Sequence, residues 1–268
     1  MQPNPALPSS STPAATPTHT GTFPPTGAAT TPTSPLVWVR ATALCLVLAP
    51  LLQVAEVAIS PLGGDTFGQF EAIAAHESAF VISVLLGLAA TVLYVPAFVG
   101  LAHAVAQRSP VLALVAALLS ICSMVGFGGV RAVQGVQLEL TQGAIDRDDA
   151  VALLDGANPI MAAVLVLFMA GTLVGLITLV IAVWRSGRFP KAPLVMVLAF
   201  VLFDMVGGPL SGGAGSTLVP VTSHLFFLAG LGWLGLVLWQ QTRLGDETVE
   251  RSGSANPPQE GLVPGSRA

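Results

Sequence analysis

The sequence predicts an all-α fold, a polytopic membrane bundle of six transmembrane helices with disordered N- and C-terminal tails. Three observations predict it. Charged residues are 9% of the 268, where a typical soluble domain carries about 25%. Hydrophobic residues are 53%, and the mean hydropathy is +0.78. The apolar residues are also grouped into stretches of the ~20 residues that a helix needs to cross the ~30 Å hydrocarbon core of a bilayer. So few charges cannot cover a water-facing surface, which excludes an ordinary soluble globular protein. Ten Lys and Arg against fourteen Asp and Glu, with no basic run, exclude a nucleic-acid binder.

The chain divides into a Pro/Ser/Thr-rich cytoplasmic tail at 1–35, a transmembrane domain at 36–240 and a second cytoplasmic tail at 241–268. Residues 1–35 hold nine prolines and no Asp, Glu, Lys or Arg. Such a segment buries too little apolar surface to fold. It lacks the basic region and apolar core of a cleavable signal peptide, so the first span is expected to act as an uncleaved signal anchor.

The first span covers 36–59, with Arg40 near its start and Glu56 near its end. The second covers 78–103, the third 110–130 and the fourth 159–184. After Lys191 the chain is apolar to Thr242 apart from Asp204, which is too long for one helix. The Gly/Pro cluster from Gly207 to Gly215 divides it into a fifth span at about 193–210 and a sixth at about 218–239. Pro50 and Pro96 fall inside spans and are expected to kink them. Ser83-x3-Gly87-x3-Thr91 and Gly171-x3-Gly175 are small-residue faces of the kind that let membrane helices approach closely. Cys45 and Cys122 lie inside spans and form no CxxC, so they are expected to be packing residues.

Six spans put both termini on one side. Arg40, Arg108, Arg185, Arg188, Lys191, Arg243, Arg251 and Arg267 fall on that side, with only Arg131 and Arg147 opposite. The imbalance makes the terminal side cytoplasmic and the expected location the cytoplasmic membrane of the cell. Trp184 and Trp239 fall at the same interface, as aromatic belts do.

Two outer loops are expected to form short amphipathic caps. Thr66-x-x-Gln69 matches a capping box ahead of Phe70, Ile73 and Ala74, and Asp146-x-x-Asp149 resembles one ahead of Ala150, Leu153 and Leu154. The second loop is acidic, but its spacing is not that of an EF-hand, so a solvated face is expected.

Ionisable groups inside spans carry the functional signal. At 1.5 Å per residue, Asp204 lies roughly 16 Å into the fifth span and His224 about 9 Å below the outer end of the sixth. Consecutive antiparallel spans bring these two to compatible depths. Glu56, His76, Glu77 and Arg131 fall at the outer ends of the first three spans. The candidate binding residues are therefore Asp204, His224, Glu56, His76, Glu77 and Arg131, gathered in the outer half of the membrane. Together they suggest an outward-opening polar pocket for a small solute or cation, with Ser211 and Ser216 at its mouth. The competing reading is a buried Asp–His hydrogen bond that fixes helix register, with Glu56 or Glu77 paired to Arg131.

Sharper chemistries lack their residues. Haem ligation by the usual four intramembrane histidines is not available, since only His76 and His224 are placed for it. No HExxH accompanies the His and carboxylate groups. A rhomboid-type serine protease needs GxSG in its fourth span, where this chain has Ala170-Gly171-Thr172-Leu173. No Walker A loop or dinucleotide fingerprint occurs. No catalytic residue, metal or cofactor is assigned, and an enzyme is not expected.

Ala74-Ala75-His76-Glu77 leading into the second span, and Tyr94-Val95-Pro96-Ala97-Phe98-Val99-Gly100-Leu101 at its end, give the chain its one resemblance. Over about residues 36–240 it is similar to six-span membrane proteins of high-GC actinobacteria. A single Lys among the ten basic residues fits such a source. The resemblance implies an integral membrane fold and supplies no activity. Two functions are carried forward: binding or carriage of a small solute or ion through the polar pocket, and a non-catalytic membrane scaffold or subunit that packs against a membrane protein partner.

Overall fold

The computed structural model describes residues 35–61, 66–143, 145–156, 158–204 and 218–254, with side chains from Leu36 to Leu244. The expected disordered tail at 1–35, all but its last residue, and the expected mouth at Gly207–Gly215 with Ser211 and Ser216, lie outside the described residues.

The described residues are all-helical. Their elements are α1 (Pro35–Ile59), α2 (Thr66–Ala75), α3 (Glu77–Val105), α4 (Pro110–Thr141), α5 (Arg147–Asp155), α6 (Pro159–Ser186), α7 (Ala192–Leu202) and α8 (Leu218–Ser254). Among the described residues, five helices are long and apolar enough to cross a membrane: α1, α3, α4, α6 and α8. The fifth expected span is described only as far as Asp204. Its helix α7 has 11 residues, about 16 Å at 1.5 Å per residue, and ends in a wider π-helical turn at Phe203 and Asp204. α8 runs on past the expected boundary near 240 to Ser254, through Gln, Arg and Glu residues that continue a helix readily.

Neighbouring long helices run antiparallel. A Cβ on Gly235 of α8 would meet Ala43 and Leu46 of α1, and one on Gly126 of α4 would meet Phe168 of α6. A Cβ on Gly230 of α8 would meet Pro193 and Val197 of α7, while Phe200 of α7 stacks on Phe227 at 4.2 Å. This alternation sorts the charges. One end of the bundle holds Arg40, Arg108, Arg185, Arg188, Lys191 and Arg243 and is called the basic end here. The other carries α2, α5 and the last three turns of α4.

Outward-facing side chains are apolar, including Val92, Val111 and Ile160, each at least 70% exposed. A helix that is apolar on its outer face as well as its inner one belongs in lipid. The buried core fills the basic half of the bundle, where Leu46, Leu101, Val183, Leu194, Leu234 and Leu238 are almost completely enclosed. The connections at that end are tied by cationic side chains. Arg108 Nη1 donates to the Ser186 carbonyl at 2.8 Å, and Arg188 Nε donates to Gln241 Oε1 at 3.0 Å. α6 stops at Gly187, whose φ of 64° is left-handed and suits a residue without Cβ.

At the opposite end α2 and α5 pack on the extension of α4. α2 buries Phe70 and Ile73, and α5 buries Ala150. The capping residues work differently from the sequence pattern. Thr66 donates its hydroxyl across to Asp155 Oδ1 of α5 at 2.6 Å, joining the two caps. Asp146 does cap α5, accepting from the Asp148 backbone at 2.9 Å. Arg147 lies over the Phe67 ring at 5.1 Å and pairs with Glu71 at 3.5 Å in an exposed contact, a geometry that adds little stability.

Candidate functional site

Between the apolar core and the capped end, the bundle holds a partly open cavity of about 190 Å³. Six helices contribute to its wall. Their residues share single faces: Ser120, Ser123, Met124, Phe127 and Arg131 recur at helical spacing along α4, as do Phe168, Gly171, Thr172 and Leu176 along α6. α1 supplies Gln53 and Val57, and α3 supplies Tyr94 and Phe98. From α7 and its terminal turn come Phe200 and Asp204, and from α8 His224 and Phe227.

Glu56 and Arg131 form an ion pair beside this cavity, with side chains only 4% and 9% exposed. Arg131 also donates from Nη1 to Gln134 Oε1 at 2.7 Å and lies 4.3 Å from the Phe127 ring centroid. Space for the pair comes from Gly87 on α3. A Cβ there would lie 2.7 Å from Arg131 Nε and 3.0 Å from Glu56 Oε2. The small-residue face on α3 therefore seats a charged pair at Gly87, while Ser83 and Thr91 bond to their own helix backbone. Gly171 and Gly175 do make a close approach, against the backbone of Ser123 and Ser120 on α4. The pair is incompletely satisfied: Glu56 Oε2 and Arg131 Nε have no hydrogen-bond partner among the described residues, and neither does Ser120 Oγ deeper in the cavity. Buried polar atoms normally have one.

Asp204 and His224 lie on the other side of the cavity. They make no direct hydrogen bond. Ser223 stands between them, its hydroxyl 3.4 Å from Asp204 Oδ1, 2.8 Å from the Pro220 carbonyl and 3.2 Å from His224 Nδ1. His224 Nδ1 is 2.8 Å from the same carbonyl. In the neutral ring this puts the proton on Nδ1 and leaves Nε2 an acceptor. The ring meets Phe200 edge-on at 5.3 Å.

The six candidate residues thus divide. Arg131, Asp204 and His224 line the cavity, and Glu56 pairs with Arg131 just outside it. His76 and Glu77 do not belong to it. Both are exposed at the junction of α2 and α3, where Glu77 accepts from Gln142 Nε2 at 3.1 Å. The reason is geometric: α3 and α4 rise beyond the end of α1, so the first residues of α3 lie above the cavity. The sequence reading missed Gln53, Tyr94, Ser120, Ser123 and Thr172. Tyr94 donates to Gln53 Oε1 at 2.5 Å, and Ser123 and Thr172 share a hydrogen bond of 2.6 Å across α4 and α6. The available signal was positional. Gln53 falls three residues before Glu56, and Ser120 and Ser123 fall eleven and eight before Arg131, all on the same helical faces.

No family model, curated protein or solved structure matches the chain. Among the described residues no group of three or more His, Cys, Asp or Glu is placed to hold a metal ion.

Proposed function

We propose that this integral membrane protein binds a small solute in the cavity, entering from the capped end, which faces the outside of the cytoplasmic membrane. The observation that carries the reading is the cavity itself: a largely apolar, aromatic-lined chamber holding a few polar groups, beside a buried ion pair with two unpartnered atoms, and closed toward the basic half by an apolar core. A chamber closed on one side suits a binding or carrier site better than an open pore. Membership of the actinobacterial six-span group belongs to the same proposal.

A scaffold role is the competing reading, and its support was the small-residue faces. These are occupied inside the bundle, Gly171 and Gly175 by α4 and Gly87 by the ion pair, and so leave little for an outside partner.

Orientation follows from the basic residues at one end. A phosphatase reporter joined after Gly143 should be active outside the membrane, and one joined after Arg243 should be silent. The reverse pattern would invert the assignment. Access is tested with Ser120→Cys in a chain whose Cys45 and Cys122 are replaced by alanine. A membrane-impermeant thiol reagent added outside intact cells should label it. Labelling only after the protein is denatured would overturn the solute-binding reading.

A further inference from the structure

We infer that the solute is a small organic cation, its charged group held against the Asp204 carboxylate and its apolar part among the aromatic rings. This rests on the proposed function and names the chemical class of its ligand.

Charge is the first argument. Arg131, Asp204 and His224 are ionisable side chains that line the cavity, and the His224 ring, with its Nδ1 directed at the Pro220 carbonyl, is neutral. The charge of Arg131 is met by Glu56. Among the described residues Asp204 takes part in no ion pair, and its hydrogen-bond partner is the neutral hydroxyl of Ser223. A carboxylate at membrane depth is costly until a cation accompanies it, and a bound ammonium group supplies that cation. An anionic ligand finds no such vacancy, because the only guanidinium in the wall is already paired.

Aromatic faces are the second argument. Phe98, Tyr94, Phe227 and Phe200 form a continuous run of ring contacts, with centroids 5.3, 5.7 and 4.2 Å apart in turn. Across the cavity Phe127 stacks with Phe168 at 5.1 Å. Ring faces attract cations, most strongly where water is excluded. Phe127 already does so for Arg131 at 4.3 Å. Size sets the upper limit. At about 190 Å³ the cavity is smaller than the roughly 300–1,000 Å³ that encloses drug-sized molecules, so a single ring with one charged group fits.

The test uses the full chain in lipid nanodiscs, titrated calorimetrically with benzyltrimethylammonium, benzyl alcohol and benzoate. Benzyltrimethylammonium should bind at least tenfold more tightly than either of the others. Asp204→Asn should abolish that preference, Asp204→Glu should keep most of it, and Phe200→Leu should weaken the cation several-fold while leaving benzyl alcohol unchanged. Should Asp204→Asn fail to fold, the Asp204→Glu and Phe200→Leu comparisons carry the test. Equal binding of benzyl alcohol, or tighter binding of benzoate, would overturn the cation class and leave solute binding standing. Binding of none of the three, by protein whose Ser120→Cys labels from outside, would overturn the cation class alone. Failure of that labelling would overturn the proposed function itself.

Discussion

Glu56→Ala is expected to destabilise the bundle by about 3–5 kcal/mol, the cost of leaving one partner of a buried ion pair alone. The substitution removes the carboxylate and keeps Arg131, which retains only Gln134 and the face of Phe127. Neither is a counter-charge. Arg131 is 8% exposed, and a Cβ at Gly87 would lie 2.7 Å from its Nε, so its guanidinium is held close to α3 with one side toward the cavity. The double variant Glu56→Gln with Arg131→Met should recover most of the loss, since an apolar replacement of a whole buried pair is often neutral. Denaturation midpoints in detergent, compared among wild type, single and double variants, check this directly. A loss under about 1 kcal/mol for Glu56→Ala would equal that of an exposed pair and would mean that water in the cavity replaces Glu56 as the partner of Arg131.

The helices were readable because a bilayer imposes length. Stretches of about 20 apolar residues have one stable form in lipid, and the tight links at Arg108-Ser109-Pro110 and Arg185 to Pro193 forced antiparallel neighbours. The fifth span was harder. Its helix ends at Leu202 and widens at Phe203 and Asp204, and nothing in the run of apolar residues marks that point. Part of the site was readable for the same reason: an ionisable residue in an apolar run stands out, which is how Glu56, Arg131, Asp204 and His224 were found. Depth was misjudged for His76 and Glu77. α2 precedes α3 and caps the bundle, so nearness in sequence to a span end did not mean nearness to the pocket. Tyr94, Gln53, Ser120, Ser123 and Thr172 were missed because uncharged polar residues are ordinary inside membrane helices. Only the pairing of faces distinguishes a cavity residue from one that bonds its own backbone, as Thr91 does to Gly87 and Thr178 does to Val174. That pairing is a tertiary fact.

Gly171→Leu is expected to cost about 2–4 kcal/mol, combining overpacking with a lost hydrogen bond. A Cβ at Gly171 would lie 2.9 Å from the Ser123 nitrogen and 3.0 Å from its Cα. These are backbone atoms of α4 and cannot rotate away, so the two helices must separate. Separation breaks the Ser123–Thr172 hydrogen bond beside it and pulls apart Phe127 and Phe168, the ring pair that forms one wall of the cavity. Stability and the binding chamber therefore depend on the same contact. Gly128 supplies the control, since a Cβ there meets nothing within 4 Å. Gly128→Ala removes only the flexibility of glycine in a helix and should be neutral or stabilising by up to about 1 kcal/mol. Unfolding midpoints for the two variants should move in opposite directions or differ by several-fold in size. Benzyltrimethylammonium affinity should fall for Gly171→Leu and hold for Gly128→Ala. Equal midpoints would mean that α4 and α6 do not approach at Gly171, and the wall built from Ser123, Thr172, Phe127 and Phe168 would have to be redrawn.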